Sequence, residues 1–428
     1  MKTNILDRTT PPKSNEMQFD GFPQFEKTLI NNNIPCYFFN NKNSDAIRLD
    51  IAIPIGKWDE EKPLQSSMTA KIMTEGTKKF DAFQIAETFD FNGAYIEINS
   101  TMHYIFVRVL SLKQKLNQLF PIIKSIIFEA TFPKNELKII AENNKQDFII
   151  ENKKVFSIAR NIFPSMLYGE KHPYGKIMEE KFFNEISSDD LHNFYSKLPI
   201  DKSSVYIGGN IDTDVFNFLE DIFKDTKKIE ITEKNYATSP FAENKKIIEV
   251  KNAMQSAVII GLPTIGRKHK DFPLLMLTNM ILGGFFGSKL MKVIREEKGY
   301  TYGIYSIISA RAKYSHLSIQ SEIIAENTNQ AVDEIFSVIN RLSTTLISNN
   351  ELNIARNYLF GKMLRNIDGP FALVEQLENI NAEGIDVYDY FDYYWKSISQ
   401  AKPDDIKEIA SKYLDTNKIK TLIVGQNI

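Results

Sequence analysis

The sequence predicts an α+β architecture of two homologous α/β sandwich domains, each an antiparallel-rich sheet with helices packed on one face. Three observations predict it. The first is that short motifs recur in order along the 428-residue chain. "SSDDLHNFYSKL", ending at Leu198, is answered by "KPDDIKEIASKYL", ending at Leu414, and "PKNELKIIAENN" is answered by "SNNELNIARNYL". Asp189-Asp190 aligns with Asp404-Asp405, and Asn135-Glu136-Leu137 with Asn350-Glu351-Leu352, at one shared offset; "YIGGNI", closing at Ile211, is echoed by "IVGQNI", closing at Ile428. Ordered self-similarity of this kind marks a duplication. The second observation is that period-two and helical apolar patterns follow one another in the same order in both halves. The third is a polar stretch with Ser-Pro and no sustained apolar period between Asp225 and Lys246, which reads as a linker. The chain therefore divides into an extension at 1–20, a first domain at 21–224, a linker at 225–246 and a second domain at 247–428.

In the first half, "AIRLDIAIPI" alternates as a strand, and "SSMTAKIMTEG" and "DAFQIAETFDFNG" carry helical spacing. Two strands follow at "AYIEINST" and "HYIFVRVLS", then helices at "LKQKLNQLFPIIKSIIFEA", "KNELKIIAENNKQDFII", "KKVFSIARNIFPSMLYG" and "SSDDLHNFYSKL", and a closing strand "SSVYIGGNI". The second half repeats the plan with "SAVIIGLP", two helices, strands "YTYGIYSIIS" and "YSHLSIQSEI", further helices and the strand "IKTLIVG".

Composition removes several function classes. A formal net charge of -2 gives no global field toward nucleic acid or an anionic membrane. The single cysteine, Cys36, excludes an intrachain disulfide framework and a cysteine-rich zinc site. No apolar run approaches the length of a membrane span, and the first twenty residues lack the apolar core of a secretory signal, so a soluble, cytoplasmic protein is expected. Of the five histidines, none lies three or four residues from another, so no helix presents paired imidazoles to a metal. His103 and His316 fall in strand-like segments and read as structural, His172 as a turn residue beside Pro173, and His192 as a solvent-facing helix residue.

The segment "ILGGFFGSKLMKVIREEKGYTYGIYS", Ile281 to Ser306, concentrates the remaining signal. Its glycines suggest a phosphate loop, but the order Gly287-Ser288-Lys289 is wrong for that motif and the preceding residues are helical. Leu290, Val293 and Ile294 form a helical stripe with Gly299 as its cap, and the strand that follows is expected to put Tyr302, Ile304 and Ser306 on one face. Arg295 either complements the helix C-terminus or joins Tyr302 in donating hydrogen bonds to one carbonyl or carboxylate.

That segment, the duplication and "GKWDEE" with Gly56, Asp59 and Glu60 resemble the insulinase, pitrilysin and mitochondrial processing peptidase family of zinc metallopeptidases, across nearly the whole chain. The resemblance implies a half-clamshell of two domains. It also implies an inverted His-x-x-Glu-His zinc motif in the first domain, and an arginine and a tyrosine seven residues later that bind substrate for the opposite half. Arg295 and Tyr302 have this spacing and are the implied substrate-binding residues. The zinc motif is missing. Aligning on Gly76-Thr77 places its three positions on Ser67, Ala70 and Lys71, while the third ligand falls near Glu142 and Asn143. Serine, alanine and lysine supply neither the zinc ligands nor the base. The resemblance therefore implies a non-catalytic, substrate-binding subunit, with zinc carried by a homologous partner that has His-x-x-Glu-His. A structural or assembly subunit, a peptide-binding homodimer, and a stand-alone peptidase with another metal are the competing expectations.

Overall fold

In the computed structural model, which describes Thr9 and residues 17–31, 33–224 and 226–426, the alternation in "AIRLDIAI" divides one strand between two environments. Ile47, Leu49, Ile51 and Ile53 enter an apolar core, while Arg48, Asp50 and Ala52 take the opposite face. This strand, β3 (Ala46–Ile53), belongs to a six-stranded sheet with β1 (Glu26–Ile30), β2 (Ile34–Asn40), β4 (Tyr95–Ser100), β5 (Ile105–Leu112) and β6 (Ser204–Gly209), in the order β1-β2-β6-β3-β5-β4. A five-stranded sheet joins β7 (Lys245–Glu249), β8 (Gln255–Thr264), β9 (Thr301–Ser309), β10 (Ser315–Ile324) and β11 (Lys420–Gly425), in the order β7-β11-β8-β10-β9. Its order and pairing senses repeat those of β2-β6-β3-β5-β4: a parallel pair, then antiparallel neighbours. In this correspondence β4 and β9 are the matching outer edges, and β1 has no counterpart among the described residues.

Most of the extension placed at 1–20, Asp225 of the linker, and Asn427 and Ile428 of the closing motif lie outside the described residues. Three strands, β1, β2 and β7, and the helix Thr213–Phe223 add to the elements expected from the sequence. His103 stands in the turn between β4 and β5 rather than in a strand.

One face of each sheet is covered by helices of its own half. In the first half, Leu116, Leu119, Ile123 and Ile126 of the helix Lys113–Glu129 pack over β3 and β5. In the second, Ile335, Val338 and Ile339 of the helix Thr328–Thr344 join Val258, Ile260 and Ile319. The opposite face of each sheet is covered by a helix from the other half. The helix Val155–Tyr168 lays Ala159, Phe163 and Met166 on Ala257, Ile259, Leu422 and Val424, and the helix Pro370–Asn381 lies across β2 and β6. The halves thus exchange covering helices.

Charge is buried beneath the second of these. Asp50, with no exposed surface, accepts from Arg48 Nε at 3.0 Å and Nη2 at 2.7 Å, and Arg108 Nε lies 3.4 Å away. Arg108 Nη2 reaches Glu378 Oε1 at 2.6 Å. Burial, reinforced by Asp50, pushes the Glu378 carboxyl up to about 8, so at neutral pH it meets Arg108 largely as a neutral group.

A second seam is aromatic. Trp58 donates Nε1–H to the linker carbonyl of Lys234 at 3.0 Å and lies against His103, His172, Tyr174 and Tyr236. His103 Nε2 is 2.7 Å from the Tyr174 hydroxyl, and His316 Nδ1 is 3.0 Å from that of Tyr168. His172 accepts from Tyr174 N–H at 3.2 Å, the turn role expected of it. Three histidines far apart in sequence therefore meet at the junction of the halves. Burial, helped by Lys313 and Arg311 at His103 and by Arg311 at His316, lowers both imidazoles to about 4.

These groups give a prediction. His103 and His316 are neutral when folded and charged in unfolded chains below pH 6.5, so the stability they contribute is lost as pH falls from there through about 4. Glu378 and Glu60, raised to about 8 and about 7 by burial, stay protonated when folded; their contribution is full below 4.5 and is lost as pH rises through those values. The two pairs oppose one another between 4.5 and 6.5, and above 6.5 only the carboxyls still act, so unfolding free energy is expected to fall from there toward pH 8. Urea midpoints across this range check it; a midpoint that climbs above neutrality contradicts it.

Candidate functional site

Arg295 and Tyr302 are placed by two neighbouring irregularities of backbone. The chain from Met280 to Gly284 and again from Met291 to Glu297 is wound as π-helix, a rare form that often accompanies functional sites. The second segment buries Met291 and Ile294 and carries Arg295 near its end. Lys298 N–H returns to the Val293 carbonyl at 3.1 Å and Tyr300 N–H to that of Ile294 at 3.0 Å. Gly299, at φ +68°, makes the left-handed turn from helix to strand, the capping role its position predicted.

In β9 the expected alternation fails at the residue that matters. Ile304 and Ser306 are buried, but Tyr302 is 89% exposed and does not share their face. The cause is a β-bulge: Thr301 pairs with Ile323 and Ile304 with Ser321, so Tyr302 and Gly303 together oppose Glu322. Two hydroxyls hold the bulge. Thr301 Oγ1 donates to the Glu322 carbonyl at 2.6 Å and accepts from Gly303 N–H at 3.1 Å, while Ser321 Oγ donates to the Gly303 carbonyl at 2.8 Å. The extra residue turns the phenol away from the core. Because β9 is an edge strand, its outer row of backbone groups also has no neighbouring strand among the described residues.

Arg295 makes no ion pair with a carboxylate among the described residues; its guanidinium carbon lies 4.6 Å from the centre of the Phe286 ring. Reasoning from sequence overlooked Phe286, although it adjoins the glycine cluster. Gly283 serves close approach to β9: a Cβ there would stand 2.7 Å from Ser306 Cβ and 2.8 Å from Ser306 N. Gly283→Ala is accordingly expected to cost about 1–3 kcal/mol by overpacking, measured as a lower urea midpoint, since backbone cannot yield as a side-chain tip can.

The positions of the missing zinc motif lie on the helix Gln65–Ile72, which packs against β4, the outer edge of the first sheet. Ser67 Oγ donates to the Leu64 carbonyl at 3.2 Å, and Ala70 is buried. Lys71 Nζ donates to Asn144 Oδ1 at 2.7 Å. Lys71 thus meets Asn144, next to the Glu142 and Asn143 positions, and Glu142 accepts from Gln146 Nε2 at 2.8 Å along its own helix. An ammonium, a methyl and a carboxamide do not fit a divalent zinc ion. Among the described residues no group of three or more His, Cys, Asp or Glu side chains could hold a metal. Glu60 Oε1 accepts from Ser66 N–H at 2.8 Å and so caps this helix. The Arg295 and Tyr302 pair stands at the corresponding edge of the other sheet, giving two differently equipped edges.

No helix among the described residues is long and apolar enough to cross a membrane. Comparison with known proteins supplies the rest. Residues 185–359 match the family model described as the peptidase M16 inactive domain. The chain is 22% identical over 352 residues to an uncharacterized zinc protease YmxG of Bacillus subtilis, covering 79% of this chain and 83% of that one. It is 21% identical to the non-peptidase homolog YmxG of Helicobacter pylori, over 70% of this chain and 71% of that one. The crystal structure of a peptidase M16 inactive domain from Pseudomonas fluorescens superposes with a TM-score of 0.86 at 20% identity, covering 95% of this chain and 99% of the other.

Proposed function

From a chain that resembles the insulinase, pitrilysin and mitochondrial processing peptidase family in its form without the zinc motif, we propose that this protein is the substrate-binding subunit of a heterodimeric zinc endopeptidase. A homologous partner carries His-x-x-Glu-His and zinc. This chain contributes Arg295 and Tyr302, which hold an extended peptide near the scissile carbonyl opposite the partner's metal. The observation that carries the reading is the bulge in β9, which turns the Tyr302 phenol out of the core at the outer edge of the sheet, beside a segment bearing an arginine with no carboxylate partner among the described residues. A scaffold needs no such arrangement, which costs a regular pairing of the strand. The repeated strand order also supports reading the halves as two copies of one unit, whose first copy has lost its metal ligands and whose second keeps its substrate groups.

The test is co-expression with a homologous chain carrying His-x-x-Glu-His, followed by zinc analysis and cleavage of casein. A stable complex that cleaves, with zinc in the partner, is the expected result. If this chain alone binds stoichiometric zinc and cleaves, the proposal fails. Association without any contribution from Arg295 or Tyr302 to cleavage identifies an assembly subunit, and self-association with peptide binding identifies a homodimer.

A further inference from the structure

The glycine-rich turn and the arginine that follows it belong to one device. We propose that Phe286 is a positioning residue that holds the Arg295 guanidinium ready for a peptide carbonyl or carboxylate; the inference rests on the peptide-binding reading above and deepens it.

Three observations combine. The Arg295 guanidinium carbon is 4.6 Å from the Phe286 ring centre, within the range of a cation–π contact, and no carboxylate pairs with it among the described residues. Phe286 is 60% exposed, which is unusual for a large apolar ring with no core role. The turn that bears it is seated directly on β9 through Gly283 and Ser306, and Asn279 Nδ2 adds a bond to the Ser306 carbonyl at 3.2 Å. The ring, the guanidinium and the strand bearing Tyr302 are thereby tied to one another.

The chemistry favours a ring over an acid at this place. A carboxylate would orient the guanidinium as well, but it would occupy the N–H donors and cancel the charge that a substrate oxygen is to meet. An aromatic face restrains the guanidinium without taking up its in-plane donors. Restraint before binding removes part of the ordering cost that a free arginine side chain carries.

The test has two readouts on this chain. In the NMR spectrum the Arg295 Nε–Hε resonance, assigned by its loss in Arg295→Lys, is expected to be displaced by the ring current of Phe286. Phe286→Tyr should keep the displacement, and Phe286→Leu, which preserves an apolar side chain without a ring, should abolish it. The second readout is affinity for fluorescein-labelled casein, measured by anisotropy. Phe286→Leu should weaken it about two- to fivefold, the range of an exposed cation–π contact, Phe286→Tyr should not, and Phe286→Leu should add nothing once Arg295 is alanine. An undisplaced Arg295 resonance, or one that Phe286→Leu leaves in place, overturns the inference. So does wild-type affinity in Phe286→Leu while Arg295→Ala binds poorly, a result that leaves the peptide-binding reading intact. Unchanged affinity in Arg295→Ala, or no casein binding by the wild type, defeats the peptide-binding reading and the inference with it.

Discussion

Arg295→Ala, measured in the complex with a zinc-bearing partner, is expected to lower kcat/KM for a quenched peptide about 10²- to 10³-fold, the usual cost of removing one preorganised donor from a developing oxyanion. The guanidinium is suited to this because its planar fork of donors makes no ion pair with a carboxylate among the described residues. Tyr302→Phe keeps the ring and removes the hydroxyl, so a smaller loss of about two- to tenfold is expected from one uncharged hydrogen bond. Neither change should move the urea midpoint much: Tyr302 is 89% exposed, and Arg295 makes no ion pair among the described residues. Turnover equal to wild type in both variants would remove these residues from the site.

Asp50→Ala is expected to have the largest effect on stability, roughly 3–5 kcal/mol, because breaking a buried ion pair leaves its partner charge uncompensated. Here two partners would be stranded. Arg48 donates to Asp50 through both Nε and Nη2, and Arg108 leans on it from the adjacent strand. Glu378 cannot replace it, since it is held largely protonated at neutral pH. By the same reasoning Glu378→Gln, which keeps a neutral oxygen for Arg108, should cost no more than about 1.5 kcal/mol. Urea unfolding of the two variants compares them directly, and equal costs would show that Glu378 carries full charge.

What the sequence disclosed followed from periodicity. β3 alternates because its faces meet different neighbours, β8 reads as a nearly continuous apolar run because helices cover both of its faces, and the long helices carry apolar stripes. β1 and β7 escaped because "EKTLI" and "KKIIE" are short, charged edge strands, which is how edges resist aggregation. The helix Thr213–Phe223 had a readable signal, with Asp212 as its cap and Val215, Phe218, Leu219 and Ile222 at helical spacing.

The sequence marks candidate residues for the site but not their geometry. Arg295 and Tyr302 stand out by motif, yet the bulge depends on register with β10, and register is not written in β9 alone. Likewise Asn144 meets Lys71 because two helices pack together there, a contact that counting residues along the chain does not give. The exchange of covering helices is equally hidden, because an apolar stripe on Val155–Tyr168 says that it is buried and not against which sheet.

That exchange bears on how the protein is made. β6 closes the first sheet by Gly209, but the helix that roofs its second face ends only at Asn381, so a ribosome adding about 5–20 residues per second leaves that face open for roughly ten to thirty seconds. The residues waiting there include Arg48, Asp50 and Arg108. An uncovered sheet marked with charge is a poor template for another nascent chain. The charges buried beneath the covering helix of the finished protein thus also mark the face that stands open while it is made.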